Sequence, residues 1–155
     1  MITLAFDPGP THCGVVAYCH DRRSVTYAQK DKPVEECLHV VSSWGGFDRV
    51  AIERVQSYGI AGSSLLRTSE VVGRLWQAAA ARSIEVHLIY RREVLSALDV
   101  SGKGSRDAQV RQRLIEIFGG TRKAAVGTKK EQGPCYGVAG HAWSALAVAM
   151  ALGSK

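Results

Sequence analysis

The chain has 155 residues, is 46% hydrophobic and carries a net charge of +6, with a pI near 9.4. This length and apolar content suit one domain with its own core and exclude a largely disordered polymer. No apolar run reaches the eighteen residues of a membrane span, and no basic-then-apolar leader opens the chain, so a cytoplasmic location and no membrane partner are expected. The positive balance favours a polyanionic partner, nucleic acid in the simplest case.

Residues 2–7 alternate Ile2, Leu4 and Phe6 with smaller residues, as a strand does. Asp7 arrives at its end, before Pro8-Gly9-Pro10, and a second apolar strand follows over 13–19. A third, "SVTYAQ" within 24–30, has the alternation of an antiparallel strand with one wet face. Pro33 opens a helical pattern in which Val34, Cys37, Leu38 and Val41 share a face, ended by Gly45-Gly46. "RVAIE" (49–53) is a short strand ending in Glu53, and the polar loop "RVQSYGIAGSS" comes after it.

A long helix is predicted over 64–82, carrying Leu65, Leu66, Val71, Val72, Leu75, Trp76 and Ala79. "VHLIY" (86–90) reads as a buried strand, and residues 91–98 as a short helix leading to the loop "DVSGKGSRD". Ser105 or Asp107 is placed to cap the next helix, with Val110, Leu114, Ile115 and Phe118 on one face and Gly119-Gly120 as its stop. Residues 120–139 are rich in Gly and Lys and lack periodicity, so they read as a mobile surface loop, and a last helix is predicted over 140–152. Cys13, Cys19, Cys37 and Cys135 show no Cys-x-x-Cys spacing and read as free core thiols. Trp76 and Trp143 fall at core spacing.

This order of elements predicts a mixed α/β sheet: an antiparallel three-stranded meander, then parallel strands joined by helical crossovers. Ligands of open α/β sheets sit beyond the carboxyl ends of the strands. If the strands ending in Asp7 and Glu53 are adjacent and parallel, two carboxylates meet there, and a hard divalent cation such as Mg²⁺ relieves their repulsion. Plainer readings compete. Asp7 could open a turn, and Glu53 could pair with Arg54 or another base. His141 and Ser144, spaced i, i+3, share a face of the last helix, although a lone His at a helix start is often only a solvated residue.

"AFDPGPTHCGVVAY", "VAIERVQSYGIAGSSLLRTSEVVGRLWQAA", "SGKGSRDAQVRQRL" and "HAWSALAVA" together resemble the RuvC-like Holliday junction resolvases, within the RNase H-like nuclease superfamily. The resemblance spans nearly the whole chain, and the last helix and "VGTKKEQGPCYGV" look closer to phage-encoded relatives. It implies an RNase H-like five-stranded sheet in a single domain over 1–155. It also implies an Mg²⁺-dependent endonuclease, with Mn²⁺ able to substitute, that cuts four-way DNA junctions as a homodimer.

Carried over residue by residue, it makes Asp7, Glu53 and His141 the metal and catalytic set. Acids are usual at the positions of His141 and Ser144, so Ser144 departs from the pattern, and Asp107 is the nearest alternative acid. Lys103, Arg106, Lys129 and Lys130 are expected to contact phosphates, and Tyr58 either stacks on an unpaired base or anchors its loop. One or two metals remain equally open. A nuclease acting on RNA or hybrids and a non-catalytic nucleic-acid-binding relative are the alternatives. A kinase of the actin-like fold would need a second nucleotide-binding half, for which 155 residues are too few.

Overall fold

The computed structural model describes residues 1–57, 59–101 and 106–153. Five strands form one sheet in the order β3-β2-β1-β4-β5. They are β1 (Ile2–Pro8), β2 (His12–Cys19), β3 (Ser24–Pro33), β4 (Arg49–Arg54) and β5 (Glu85–Tyr90). β1, β2 and β3 pair antiparallel, whereas β1–β4 and β4–β5 are parallel. The helices are α1 (Val34–Ser43), α2 (Ser63–Ala80), α3 (Arg91–Ala97), α4 (Arg106–Phe118), α5 (Arg122–Ala125) and α6 (Ala142–Gly153). The meander and the parallel crossovers are as the sequence predicts, and the architecture is the RNase H-like one.

The period of two along each strand divides the core into two layers. Leu4, Phe6, Val15, Ala17, Val50 and Ile52 face α1 and α2. Ala5, Val16, Tyr18, Ala51 and Ile89 face α3, α4 and α6. The second face carries small residues at the centre of the sheet, and α6 is itself rich in alanine, so helix and sheet approach closely. Nearly every residue of α6 is buried there. Asp7 and Glu53 continue the same alternation and therefore point to the α6 face.

The structure departs from the sequence reading at several places. The segment 120–139 is not a loop without structure. It holds α5, a bridge between Gly127 and Gln132, and three buried residues, Ala125, Cys135 and Val138, that join the α6-side core. Those contacts are spaced by tertiary packing rather than by a helix or strand period, so periodicity does not reveal them.

β3 runs on to Pro33, so α1 begins one residue later, at Val34. Of β5 only Ile89 is buried, because this strand is an edge. Trp76 and Leu66 are exposed rather than packed, since α2 is an outer helix and they stand on its flank. Trp143 is buried as expected, and so are all four free cysteines.

Candidate active site

Asp7 is not the residue that opens the turn. It lies within β1, paired with Gly14 of β2, and the tight connection follows it, closed by Gly9 N–H donating to the His12 carbonyl at 2.9 Å. Phe6 of β1 is in register with Ile52 of the parallel strand β4, so the next residues on, Asp7 and Glu53, stand side by side at the carboxyl edge of the sheet. Both carboxyls are largely buried.

α6 begins at Ala142 rather than at 140, which leaves His141 just ahead of the helix, with its carbonyl accepting from Ala145 N–H at 3.2 Å. The imidazole Nδ1 lies 3.1 Å from Asp7 Oδ2. An ionised Asp7 only accepts, so Nδ1 donates in this contact.

Gly14 makes the approach possible. A Cβ at this position would stand 2.3 Å from the His141 carbonyl oxygen. Nothing in the residue pattern singles out Gly14; only the packing of α6 onto β2 does.

A second group of charges comes from β5 and the helices after it. Arg91, the first residue of α3, places Nη1 3.7 Å from Glu53 Oε1, and its Nη2 donates to Asp107 Oδ1 in the first turn of α4. Arg91 is thus the base that Glu53 meets. Arg54 instead lies over the Tyr90 ring, 5.2 Å from its centroid. The sequence reading missed Arg91, although an arginine directly after a parallel strand beside β4 was a usable signal.

A cavity of about 480 Å³ unites these groups, lined by Asp7, Glu53, Arg91, Asp107, His141 and Ser144. Ser144 therefore does face the site. Arg111 of α4 lines a neighbouring hollow together with His141 and Ser144.

Burial pushes the Glu53 carboxyl up to about 7, and the nearby Asp7 charge pushes in the same direction, against a smaller opposing pull from Arg91. Burial also raises Asp7, opposed chiefly by the His141 hydrogen bond. For both carboxyls the cost of leaving water outweighs what Arg91 and His141 return.

Among the described residues no three His, Cys, Asp or Glu side chains gather tightly enough to enclose an ion on their own. The donor set still fits a hard divalent cation. Two buried, mutually repelling carboxylates suit Mg²⁺, which takes one or two carboxylates and completes its shell with water and substrate phosphate.

The other predicted residues lie outside this cavity or outside the described residues. Arg106 is exposed at the start of α4. Lys129 and Lys130 are exposed between the bridged residues Gly127 and Gln132. The segment after them ties Pro134 to Val25, whose partner across β2 is Tyr18, four residues along the strand from Gly14 at the Asp7 edge. Tyr58, Lys103 and Ser105 lie outside the described residues.

No family model matches the chain. The crossover junction endodeoxyribonuclease RuvC of Corynebacterium diphtheriae is 30% identical to it over 131 residues, covering 75% of this chain and 79% of the relative. The chain belongs to the RuvC family. The RuvC of Corynebacterium jeikeium is 29% identical over 133 residues, with the same coverage. Among solved structures, Thermus thermophilus RuvC in complex with a Holliday junction substrate superposes with a TM-score of 0.70 at 17% identity, over 99% of this chain and 94% of that one. A second Thermus thermophilus RuvC structure gives 0.66 at 19% identity. These two likenesses establish the RuvC fold across nearly the whole chain.

Proposed function

We propose that this RuvC-family chain is a metal-dependent endonuclease that resolves four-way DNA junctions by paired nicks. The observation that carries the proposal is the meeting of Asp7 and Glu53 at neighbouring parallel strand ends, under His141. The RuvC names of the curated relatives, and the Holliday junction bound by the Thermus protein, supply the substrate.

In this reading Asp7 and Glu53 hold Mg²⁺, for which Mn²⁺ can substitute. A cation held there would supply Lewis-acid chemistry, lowering the pKa of a water and offsetting charge on the phosphate. His141 fixes the Asp7 carboxylate through Nδ1 and exchanges a proton with solvent at its other ring nitrogen. Ser144, a neutral hydroxyl on the cavity wall, positions water rather than supplying a charged oxygen. Hydrolysis breaks the bond from phosphorus to the 3′-oxygen, and water supplies the replacing oxygen.

Lys103, Arg106, Lys129 and Lys130, with Arg111 of the neighbouring hollow added, are the cationic side chains that meet backbone phosphates, which fix position without reading sequence. Two symmetric cuts call for a C2 pair of chains. Leu66 and Trp76 on α2, and Ile60 in the loop before it, are exposed apolar side chains, and they support α2 as the face where two copies meet. Among the described residues no helix is long and apolar enough to cross a membrane. The cytoplasm, where branched DNA is found, is the proposed place of action.

The test is cleavage of a four-way junction, a duplex, a single strand and an RNA–DNA hybrid, each with and without Mg²⁺. The wild type nicks the junction only with the metal. Asp7→Asn keeps junction binding and loses cleavage, because it removes charge from the site and not from the DNA-facing surface. An Asp7→Asn protein that cuts at the wild-type rate would overturn the reading.

A further inference from the structure

Glu53 and Ile89 are in register across β4 and β5, and so are the residues that follow them, Arg54 and Tyr90, which end the two strands. Ile89 belongs to the α6-side core and Glu53 points to that same face, so Arg54 and Tyr90 turn to the α2 side of the sheet edge. Arg54 lies over the Tyr90 ring with Cζ 5.2 Å from its centroid, and Arg92 lies over the same ring at 5.1 Å. The ring itself is fixed at its backbone, where Tyr90 N–H donates to Glu93 Oε2 at 2.8 Å.

These two arginines differ from Arg91 between them. Arg91 is engaged by Glu53 and Asp107. Among the described residues neither Arg54 nor Arg92 forms an ion pair, and both are exposed while Tyr90 is half-buried. Two guanidiniums are thus gathered on one ring with their repulsion left for an anion to relieve. The negative ring face favours each of them and restrains a side chain that would otherwise roam. A guanidinium lying over a ring keeps N–H groups free to grip two oxygens of one phosphate.

We propose that Arg54 and Arg92, held on the Tyr90 ring, bind a non-scissile phosphate of the strand being cut and so set which phosphate enters the cavity. The inference rests on the junction-cutting reading above and deepens it. Arg54 follows Glu53 and Arg92 follows Arg91 in the chain, and Glu53 and Arg91 line the cavity. A strand that presents one phosphate to the cavity therefore brings a neighbouring phosphate to this edge. Tyr90 acts through the two arginines and is a positioning residue.

The test is binding of the full chain to a four-way junction without divalent metal, over a range of salt, with a neutral methylphosphonate placed at one backbone position at a time. The double variant Arg54→Gln, Arg92→Gln is expected to bind the unmodified junction about tenfold more weakly. Its slope of log affinity against log salt falls by about 0.9, the value for one phosphate. One methylphosphonate beside the cut position weakens the wild type by a similar factor and leaves the double variant unaffected. Arg54→Lys with Arg92→Lys keeps the salt slope, which separates a lost contact from a misfolded protein. Tyr90→Phe binds as the wild type does, whereas Tyr90→Leu binds more weakly at an unchanged slope. With Mg²⁺ the double variant spreads its nicks to phosphates on either side of the wild-type position.

Methylphosphonates that weaken the wild type and the double variant equally at every position would overturn this inference and leave the junction-cutting reading standing, and so would a double variant that nicks only where the wild type does. A wild type that binds the junction but fails to cut it with Mg²⁺ would overturn the metal-dependent reading, while the methylphosphonate comparison still decides the phosphate site. A wild type that does not bind the junction would overturn both.

Discussion

Gly14 lies against the backbone of His141, so closely that a Cβ on Gly14 would come within 2.5 Å of both the carbonyl carbon and the carbonyl oxygen of His141. Because Gly14 is also the strand partner of Asp7, one residue without a side chain sets the height of the His141 loop above the carboxylate. Gly14→Ala must lift the start of α6 or distort β2. The expected cost is about 1–3 kcal/mol, as for other overpacked cores. Junction cleavage falls with it, since the 3.1 Å contact of His141 with Asp7 opens. Denaturant unfolding and single-turnover cleavage check this, and a variant with wild-type stability and rate would contradict it.

The Glu53 carboxyl gives stability a distinctive pH dependence. Its folded value of about 7 lies above the ordinary 4.5 of a free glutamate, so between those limits the folded state binds more protons than the unfolded state. The contribution of Glu53 to stability is then fully present below about 4.5 and is lost as pH rises through 7, by about 3 kcal/mol at most. Glu53→Gln removes that slope and is more stable than the wild type at pH 8 without metal. Mg²⁺ restores the wild type at pH 8 by binding the folded state, and does so far less for the variant. Unfolding curves at pH 4.5, 6 and 8, with and without Mg²⁺, decide the matter. A wild type whose stability rises over that interval would refute the assignment.

These two residues differ in how legible they were. An acid closing an apolar alternating strand is a local pattern, and two such strands gave Asp7 and Glu53. The mixed sheet followed from the order of elements for the same reason. Gly14 and Arg91 matter only through neighbours far away in the chain, and no local period marks them. The 120–139 segment, rich in Gly and Lys and without a period, hid its three buried side chains. Trp76 misled in the other direction: its spacing matched the buried stripe of α2, but the sheet covers only the flank through Val72, Leu75 and Ala79.

Ser144 lines the same cavity as His141 and Asp7, so its substitution reads directly on the ion. Ser144→Asp adds a charged oxygen and lowers the Mg²⁺ concentration needed for half-maximal cleavage. The maximal rate need not follow, since tighter ground-state binding does not by itself favour the transition state. Ser144→Ala shifts the rate modestly through loss of a water-positioning hydroxyl. Three superimposable Mg²⁺ titrations for wild type, Asp and Ala would show that position 144 has no contact with the ion.

The exposed Lys129 and Lys130, between the bridged residues Gly127 and Gln132, are predicted to act on affinity alone. Each phosphate contact contributes about 0.9 to the slope of log affinity against log salt, so Lys129→Ala with Lys130→Ala flattens the slope by about 1.8. Cleavage at saturating protein stays unchanged, because neither lysine lines the cavity. An unchanged slope would place both off the DNA.

Exposed Leu66 and Trp76 make α2 the surface to disrupt. Leu66→Glu with Trp76→Glu is expected to convert a sedimenting dimer into a monomer that nicks one strand and fails to resolve the junction. A wild type that sediments as a monomer both alone and on a junction would contradict the pairing.

His141 and Asp7 stand 134 positions apart in the chain. The strand that bears the first carboxylate is synthesised well before the residue that braces it. A growing chain that has made β1, β2 and β4 carries both acids but neither the helix that covers them nor the imidazole that steadies one of them. A fragment that stops before α6 keeps both acids and lacks the imidazole, so its Asp7 is left without the brace that the folded chain supplies.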